Sequence, residues 1–204
     1  NTPRNVRDLL QQFINRNGEF FFTLNQDLLI ERYFMGLIHI PFFDAGNRIS
    51  GLRDWEFSSE YEFEVPKKPE TEEPLNVAPH KLHYIKLHGS FNWMSSDDKR
   101  IMVIGHKKES QIANEPLLKH YFEQFEGELS GEGVKLLIVG YSFRDEHINK
   151  IISQSNLELH IIDSLPRPDF VKDEYWERRP YKAELNEKIK NAYYWKEPTT
   201  TVEF

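Results

Sequence analysis

The sequence lacks cysteine altogether, which excludes disulfide-stapled scaffolds and every zinc site built on cysteine ligands. No run approaches the roughly 18 apolar residues of a membrane-spanning helix, and no signal peptide stands at the start as given. Positive charge is scarce, with 26 basic against 33 acidic side chains and a net charge of −7. We therefore expect a soluble, cytoplasmic domain that binds neither membranes nor nucleic acid directly.

Aromatic residues, in contrast, are abundant: 15 Phe, 9 Tyr and 4 Trp contribute to a hydrophobic share of 39%. A chain of 204 residues with this composition can bury a real core and has the size of one domain. We predict a single domain over 1–204, with an irregular proline-rich insertion at about 41–80 and a C-terminal extension over 166–204. Because the chain opens on Asn1 rather than methionine, we expect it to be part of a longer protein.

Apolar periodicity predicts an alternation of strands and helices. The predicted strands are 19–24, 82–87, 101–104, 135–139 and 157–162, and the predicted helices are 5–16, 28–34, 116–131, 145–153 and 181–194. The strand at 135–139 is an unbroken apolar run, which is typical of burial on both faces. Alternation of this kind indicates an α/β fold with a parallel sheet and flanking helices.

Polar residues follow four of the predicted strands. In parallel α/β sheets, ligands bind outside the carboxyl ends of the strands. This placement makes the following residues candidates for a ligand site: Asn25, Asp27, His88, Gly140, Ser142 and Asp163.

Each candidate in the first half of the chain also fits a structural interpretation. His88 is either a cap on a backbone carbonyl or a base beside a sugar hydroxyl, with Gly89 admitting a ligand to the backbone. Asn25 and Asp27 are either ligand contacts or N-caps of the helix that begins near Leu28. Composition and spacing leave these alternatives open.

The candidates in the second half are similarly ambiguous. Gly140 and Ser142 lie in a loop that resembles a phosphate- or ribose-contacting turn, although its glycine pattern is too short for a dinucleotide fingerprint. Asp163 is either a ribose contact or a turn aspartate before Pro166. The histidines show no spacing typical of a metal site, so we predict no metal and no zinc.

Three motifs together resemble the sirtuin-like domains, in particular the bacterial branch found in antiphage defence proteins. Thr23-Leu24-Asn25-Gln26-Asp27 is similar to the T-x-N-x-D motif of sirtuins. Leu87-His88-Gly89-Ser90, followed by Asn92-Trp93, resembles the His-Gly segment of the bacterial branch. Residues 138–149 resemble that branch's G-Y-S-F-x-D-x-x-I-N stretch, and the resemblance covers most of 5–165.

The resemblance implies a Rossmann-like fold that binds NAD and breaks its nicotinamide–ribose bond. The catalytic residues that it implies are Asn25 and His88. Asn25 would hydrogen-bond the nicotinamide ribose or orient a water, and His88 would act as the base on a ribose hydroxyl. The implied NAD-binding residues are Thr23, Asp27 on the nicotinamide side, Gly89, Gly140 and Ser142 at the phosphate or adenosine ribose, and Asp163 at the adenosine ribose.

Two departures from the family pattern refine this expectation. Deacylase sirtuins usually carry a four-cysteine zinc module, and the sequence has no cysteine, so hydrolysis of NAD or transfer of its ADP-ribose is favoured over deacylation. The family's first strand and its glycine-rich G-A-G loop, which holds the pyrophosphate, are expected before the opening helix and do not occur within these residues.

The leading hypothesis is an NAD glycohydrolase that depletes NAD in antiphage defence. Two other hypotheses use the same residues differently: a sensor module that holds NAD or ADP-ribose without cleaving it, and an assembly module whose Rossmann-like core mediates contacts. We expect NAD as the small-molecule partner, a homo-oligomer, and further domains or subunits of a larger defence protein.

Overall fold

The structure is a computed structural model, and it describes residues 20–34, 38–40, 63–64, 82–94, 99–163 and 179–194. Within these ranges the strands are β1 (Phe20–Thr23), β2 (Ile38–His39), β3 (Phe63–Glu64), β4 (Leu82–Lys86), β5 (Gly89–Met94), β6 (Arg100–Met102), β7 (Val134–Val139), β8 (Leu157–Asp163) and β9 (Ile189–Tyr194). The helices are α1 (Leu29–Phe34), α2 (Lys108–Asn114), α3 (Pro116–Leu129), α4 (Glu146–Gln154) and α5 (Lys182–Lys188).

The chain divides into two compact units, Asn1–Glu123 and Gln124–Phe204. In the first unit, β1, β4 and β2 form a parallel sheet in that order. A second sheet has the order β3-β5-β6, in which β3 pairs with β5 in parallel and β5 with β6 antiparallel. The core of this unit contains Tyr84, Ile85 and Trp93, and the Trp93 ring lies 6.2 Å from that of Tyr121.

The second unit is built on the parallel sheet β7-β8-β9. Helix α4 connects β7 to β8 and buries Ile148 and Ile152 on one face, because apolar residues four apart share a side of a helix. On β8, Leu159 and Ile161 are buried. The crossover helix between parallel strands gives this unit the α/β layering that the alternating pattern predicts.

The predicted fold class is confirmed: the protein is α/β, with parallel sheets and flanking helices in a Rossmann-like arrangement. The predicted helices at 28–34, 116–131 and 145–153 correspond to α1, α3 and α4 within one or two residues. The predicted strands at 19–24, 82–87, 101–104, 135–139 and 157–162 correspond to β1, β4, β6, β7 and β8.

Two details of the prediction are wrong. Strand β7 is not buried on both faces, since Leu137 is 38% and Val139 64% exposed while Ile138 is buried. The predicted helix over 181–194 ends at Lys188, and residues 189–194 form β9, because their backbone groups pair in parallel with β8.

Several sequence-based expectations concern residues outside the described ranges. The predicted opening helix at 5–16 lies there, as does almost all of the insertion at 41–80, from which only the short strand β3 is described. Of the C-terminal extension over 166–204, residues 179–194 are described, and they supply α5 and β9.

Candidate active site

Two of the candidate segments leave neighbouring parallel strands of the first unit. Strands β1 and β4 pair with Thr23 opposite Lys86, and the Leu87 N–H donates to the Thr23 carbonyl over 3.0 Å. The loop that follows β1 (residues 24–28, here called the asparagine loop) and the turn that follows β4 (residues 87–90, here called the histidine turn) therefore emerge side by side. The parallel register of two strands is what brings these segments together.

The asparagine loop is shaped by short-range hydrogen bonds from its own side chains. The Thr23 hydroxyl accepts the backbone N–H of Asn25 over 3.0 Å, and Asp27 Oδ1 accepts the N–H of Leu29 over 2.9 Å at the start of α1. Asp27 thus makes the kind of hydrogen bond that the capping interpretation predicts, and its contact with NAD stays a prediction. Asn25 takes part through its backbone, and its side chain is exposed.

The histidine turn is buried, and its glycine has a steric reason. His88 is 4% exposed, and Gly89 has a φ of +73°, which side chains rarely adopt. A Cβ on Gly89 would lie 2.1 Å from the Ile101 carbonyl oxygen of β6. The missing side chain thus makes room for the neighbouring strand, and the NAD contact of Gly89 stays a prediction.

Gln26, which the sequence did not single out, joins the two segments. Its side-chain Nε2 donates to the His88 carbonyl over 3.1 Å and to the Val103 carbonyl over 2.8 Å. Its own carbonyl accepts the Phe91 N–H over 3.1 Å. An amide has two donors, and both are used here to hold the asparagine loop against the histidine turn.

A buried charged cluster lies beneath this junction. Lys86 Nζ forms an ion pair with Glu31 Oε1 at 2.7 Å, and the two side chains are 0% and 2% exposed. The same ammonium donates to Ser90 Oγ over 2.9 Å and to the Asp27 carbonyl, while the Tyr84 hydroxyl donates to Glu31 Oε2 over 3.4 Å. We call Lys86, Glu31, Ser90 and Tyr84 the lysine cluster.

Burial dominates the ionisation of this cluster. It raises the pKa of the Glu31 carboxyl and lowers the pKa of the Lys86 ammonium, and the opposite charge of each partner counteracts both changes. Burial, followed by the negative charge of Glu31, also raises the pKa of Tyr84, whose phenol stays protonated and donates. The pair is held together against a substantial desolvation cost.

A signal for the lysine cluster is present in the sequence. Lys86 is the charged residue at the end of an otherwise largely apolar strand, and such a residue needs a partner when the strand is buried. Glu31 stands at a spacing of three from both Leu28 and Phe34, which places it on the buried face of α1. Pairing an acid on a buried helix face with a base on a buried strand would have identified both.

In the second unit, the loop after β7 carries two more candidates. Gly140 has a φ of +63° with open space around its Cβ position, so conformation rather than room requires a glycine there. Its N–H donates to the Ile162 carbonyl over 2.9 Å and is therefore occupied by the sheet. Ser142, two residues later, is exposed.

This loop is held by a neutral network. The Tyr141 hydroxyl lies 2.9 Å from Asn149 Oδ1, and Asn149 Nδ2 donates to the carbonyls of Phe143 and Pro180 over 2.8 and 3.3 Å. Phe143 is fully buried and has a φ of +54°, a strained conformation for a bulky side chain. Burial raises the pKa of Tyr141, so it too remains a neutral phenol.

Asp163, the last candidate, is the final residue of β8, where it pairs in register with Tyr194 of β9. The eight predicted site residues thus divide between the units. Thr23, Asn25, Asp27, His88 and Gly89 belong to the first, whereas Gly140, Ser142 and Asp163 belong to the second. In both units they lie at the carboxyl ends of parallel strands or in the segments that follow them, as the sequence pattern indicates.

A parallel α/β domain with polar residues after its strands defines a class of nucleotide-binding folds rather than one activity. The sequence profile of the SIR2-like domain family matches residues 19–179. The chain belongs to this family. SIR2-like domains bind NAD, and the family includes NAD-dependent enzymes.

No significant match to the chain is found among curated proteins or among solved structures. Across the part of the chain that the structure describes, every helix is too short or too polar to traverse a lipid bilayer.

Proposed function

We propose that this domain is an NAD hydrolase, an NAD glycohydrolase that cleaves the nicotinamide–ribose bond and depletes NAD in antiphage defence. Membership of a family whose domains bind NAD supports the substrate. The observation that carries the proposal is the double hydrogen bond of Gln26, which holds the buried turn of His88 against the loop that exposes Asn25. Holding two polar groups on adjacent segments favours a reaction at one ribose, because fixed orientation of the reacting groups lowers the barrier.

Cleavage of the nicotinamide–ribose bond requires little from the protein beyond orientation of the substrate and a nearby polar group. The bond between C1′ and the nicotinamide nitrogen breaks with its electron pair on nicotinamide, which leaves as a neutral molecule. Water adds to the resulting oxocarbenium-like ribose and releases a proton, giving ADP-ribose. In this proposal Asn25 hydrogen-bonds the ribose or orients the water, and His88 is the base on a ribose hydroxyl.

The remaining residues have supporting roles in the proposal. Asp27 supports the nicotinamide side, and Thr23 shapes the loop through its hydrogen bond to Asn25. Because the N–H of Gly140 already donates to the sheet, the exposed Ser142 is the better candidate for a phosphate or ribose contact. Asp163 contacts the adenosine ribose.

The test is release of free nicotinamide from NAD by the longest form of the protein that contains this chain. Release is measured with the purified protein alone and with the protein in extracts of phage-infected cells, which supply a trigger for its activity. We expect Asn25→Ala and His88→Gln each to reduce release by about 100-fold or more. His106→Gln and Asn114→Ala are matched controls, since both residues are exposed in the first unit, and they should retain activity.

The melting temperature of every variant is measured as well, because His88 is buried and its substitution can lower stability, whereas Asn25 is exposed. Loss of release in folded Asn25→Ala and His88→Gln, with intact controls, supports the hydrolase. Binding of NAD without cleavage under every condition contradicts it and favours a sensor module. Absence of NAD binding contradicts both and leaves an assembly role.

A further inference from the structure

Lys86 is a buried charge to which the proposed chemistry assigns no role. It is the last residue of β4, its side chain is 0% exposed, and its ammonium has three N–H donors. Each donor has an acceptor: Glu31 Oε1 at 2.7 Å, Ser90 Oγ at 2.9 Å and the Asp27 carbonyl. The ammonium is thus fully satisfied by groups of the first unit.

The three acceptors lie on three separate segments. Asp27 belongs to the asparagine loop, Glu31 to α1 and Ser90 to the histidine turn. Asn25 stands two residues before Asp27, and His88 lies between Lys86 and Ser90 along the chain. One ammonium therefore ties together the two segments that carry the proposed catalytic residues.

Ser90 strengthens this connection, because its hydroxyl reaches back to the asparagine loop. Ser90 Oγ donates to the Gln26 carbonyl over 3.3 Å while it accepts from Lys86. The Gln26 carbonyl also accepts the Phe91 N–H over 3.1 Å. The carbonyls of Gln26 and Asp27, the two residues that follow Asn25, are consequently both held by hydrogen bonds.

Stability by itself is a weak reason to keep such a pair. Removing two charges from water costs free energy that their attraction only partly returns, and apolar residues of similar volume are often as stable or more so. A charge with three directional donors does, however, fix the geometry of several segments at once, which an apolar side chain cannot do.

We propose that Lys86, held by Glu31, is a positioning residue that sets the asparagine loop against the histidine turn in the geometry needed at the ribose. The role rests on the proposed function of the same site. It adds to that function a specific determinant of the rate, since a displacement of reacting groups by about 1 Å can reduce a rate by about 100-fold.

The test compares two double variants of the longest available protein. Lys86→Met with Glu31→Leu removes the buried pair without leaving a lone charge. Lys119→Met with Glu123→Leu removes an exposed pair, whose N–O distance is 3.9 Å, from the same unit. For each we would measure the melting temperature, kcat and KM for nicotinamide release, and amide hydrogen exchange of peptides covering 24–28 and 87–91.

We expect the buried double variant to stay folded with most of its stability and to lose about 100-fold in kcat, with a much smaller change in KM. Exchange at 24–28 and 87–91 should accelerate in that variant alone. Either an unchanged kcat or unchanged exchange in a folded double variant would overturn the proposal. So would an equal effect in the Lys119 and Glu123 control.

Two provisions keep the test decisive. If the double variant fails to fold, Ser90→Ala replaces it, with Ser110→Ala as the exposed control in the same unit, and faster exchange at 24–28 is the expected result. If the wild-type protein cleaves no NAD, the proposed function fails, while the exchange data still decide whether Lys86 positions the loop.

Discussion

The two units stabilise the loops after their strands with different interactions. In the first unit, a buried ion pair between Lys86 and Glu31 lies beneath the asparagine loop and the histidine turn. In the second unit, the loop after β7 is held by neutral groups, the Tyr141 phenol and the Asn149 amide. The loops of both units follow a parallel strand, so the difference between them is whether charged or neutral groups hold the loop.

The difference lies in what happens when one partner is lost. Removing one member of a buried ion pair leaves an uncompensated charge in a poorly solvating environment, whereas removing a neutral partner leaves an unmade hydrogen bond. The first unit should therefore be the more sensitive to single substitutions, and also the more readily rescued by a second one.

The largest effect is expected for Lys86→Met alone, which leaves Glu31 without its cation. We expect a loss of about 3–5 kcal/mol in the free energy of unfolding, measured with urea, and recovery of most of it when Glu31→Leu is added. Burial already raises the pKa of Glu31, so a protonated Glu31 is favoured in the folded variant. The stability of the Lys86→Met variant should therefore rise as the pH falls through the raised pKa of Glu31. A loss below about 1 kcal/mol would contradict the contrast.

The next comparison concerns the two site glycines. Gly89→Ala combines a positive φ with an overlap on the Ile101 carbonyl, whereas Gly140→Ala meets the positive φ alone. We expect losses of about 2–5 kcal/mol for Gly89→Ala and about 1–2 kcal/mol for Gly140→Ala. Gly127→Ala, in α3 with open space around the new methyl group, should be neutral or stabilising and serves as the control. Equal losses at positions 89 and 140 would refute the steric assignment.

For the neutral brace, Asn149→Leu removes the amide while keeping a side chain of similar shape. The Phe143 carbonyl loses its donor and Tyr141 loses a partner, and a loss of about 1–3 kcal/mol is expected. Asn114→Leu, at an exposed helix end, is the matched control and should change stability by less than about 0.5 kcal/mol. If Asn149→Leu were as costly as Lys86→Met, the charged and neutral braces would not differ.

The smallest effect concerns the residues that precede α1 and α4. Asp27 accepts a hydrogen bond from the first turn of its helix, but the Asp145 side chain makes no such cap. We expect Asp27→Ala to cost about 1 kcal/mol of unfolding free energy and Asp145→Ala to cost less. Thermal melting of both variants side by side would measure this. A larger loss for Asp145→Ala would show that its role is not that of a cap.

Much of the fold could be predicted because it depends on local pattern. The short apolar runs at β1, β4 and β8 and the three-four spacing in α3 and α4 carry their own periodicity, and the structure confirms them. Residues 189–194 could not be assigned in this way. Their composition allows a helix, and only the presence of β8 alongside makes a strand the better solution.

The candidate site shows the same division. Asn25, His88 and Gly140 could be selected because polar residues after apolar strands are visible in the sequence. Gln26 could not, since its importance lies in reaching the carbonyls of His88 and Val103, which are 62 and 77 residues away along the chain. Lys86 and Glu31 likewise form a pair across 55 residues.

The order of the amino acids was enough to indicate the α/β class, the positions of the candidate residues after the strands, and the motifs by which the chain resembles its family. The folded chain was needed to show which backbone groups those residues contact, why Gly89 must be a glycine, and that a charged pair lies beneath the loops. The physical reason is that periodicity and turn chemistry act over a few residues. Close approach, desolvation and ion pairing, in contrast, depend on segments that meet only when the chain has folded.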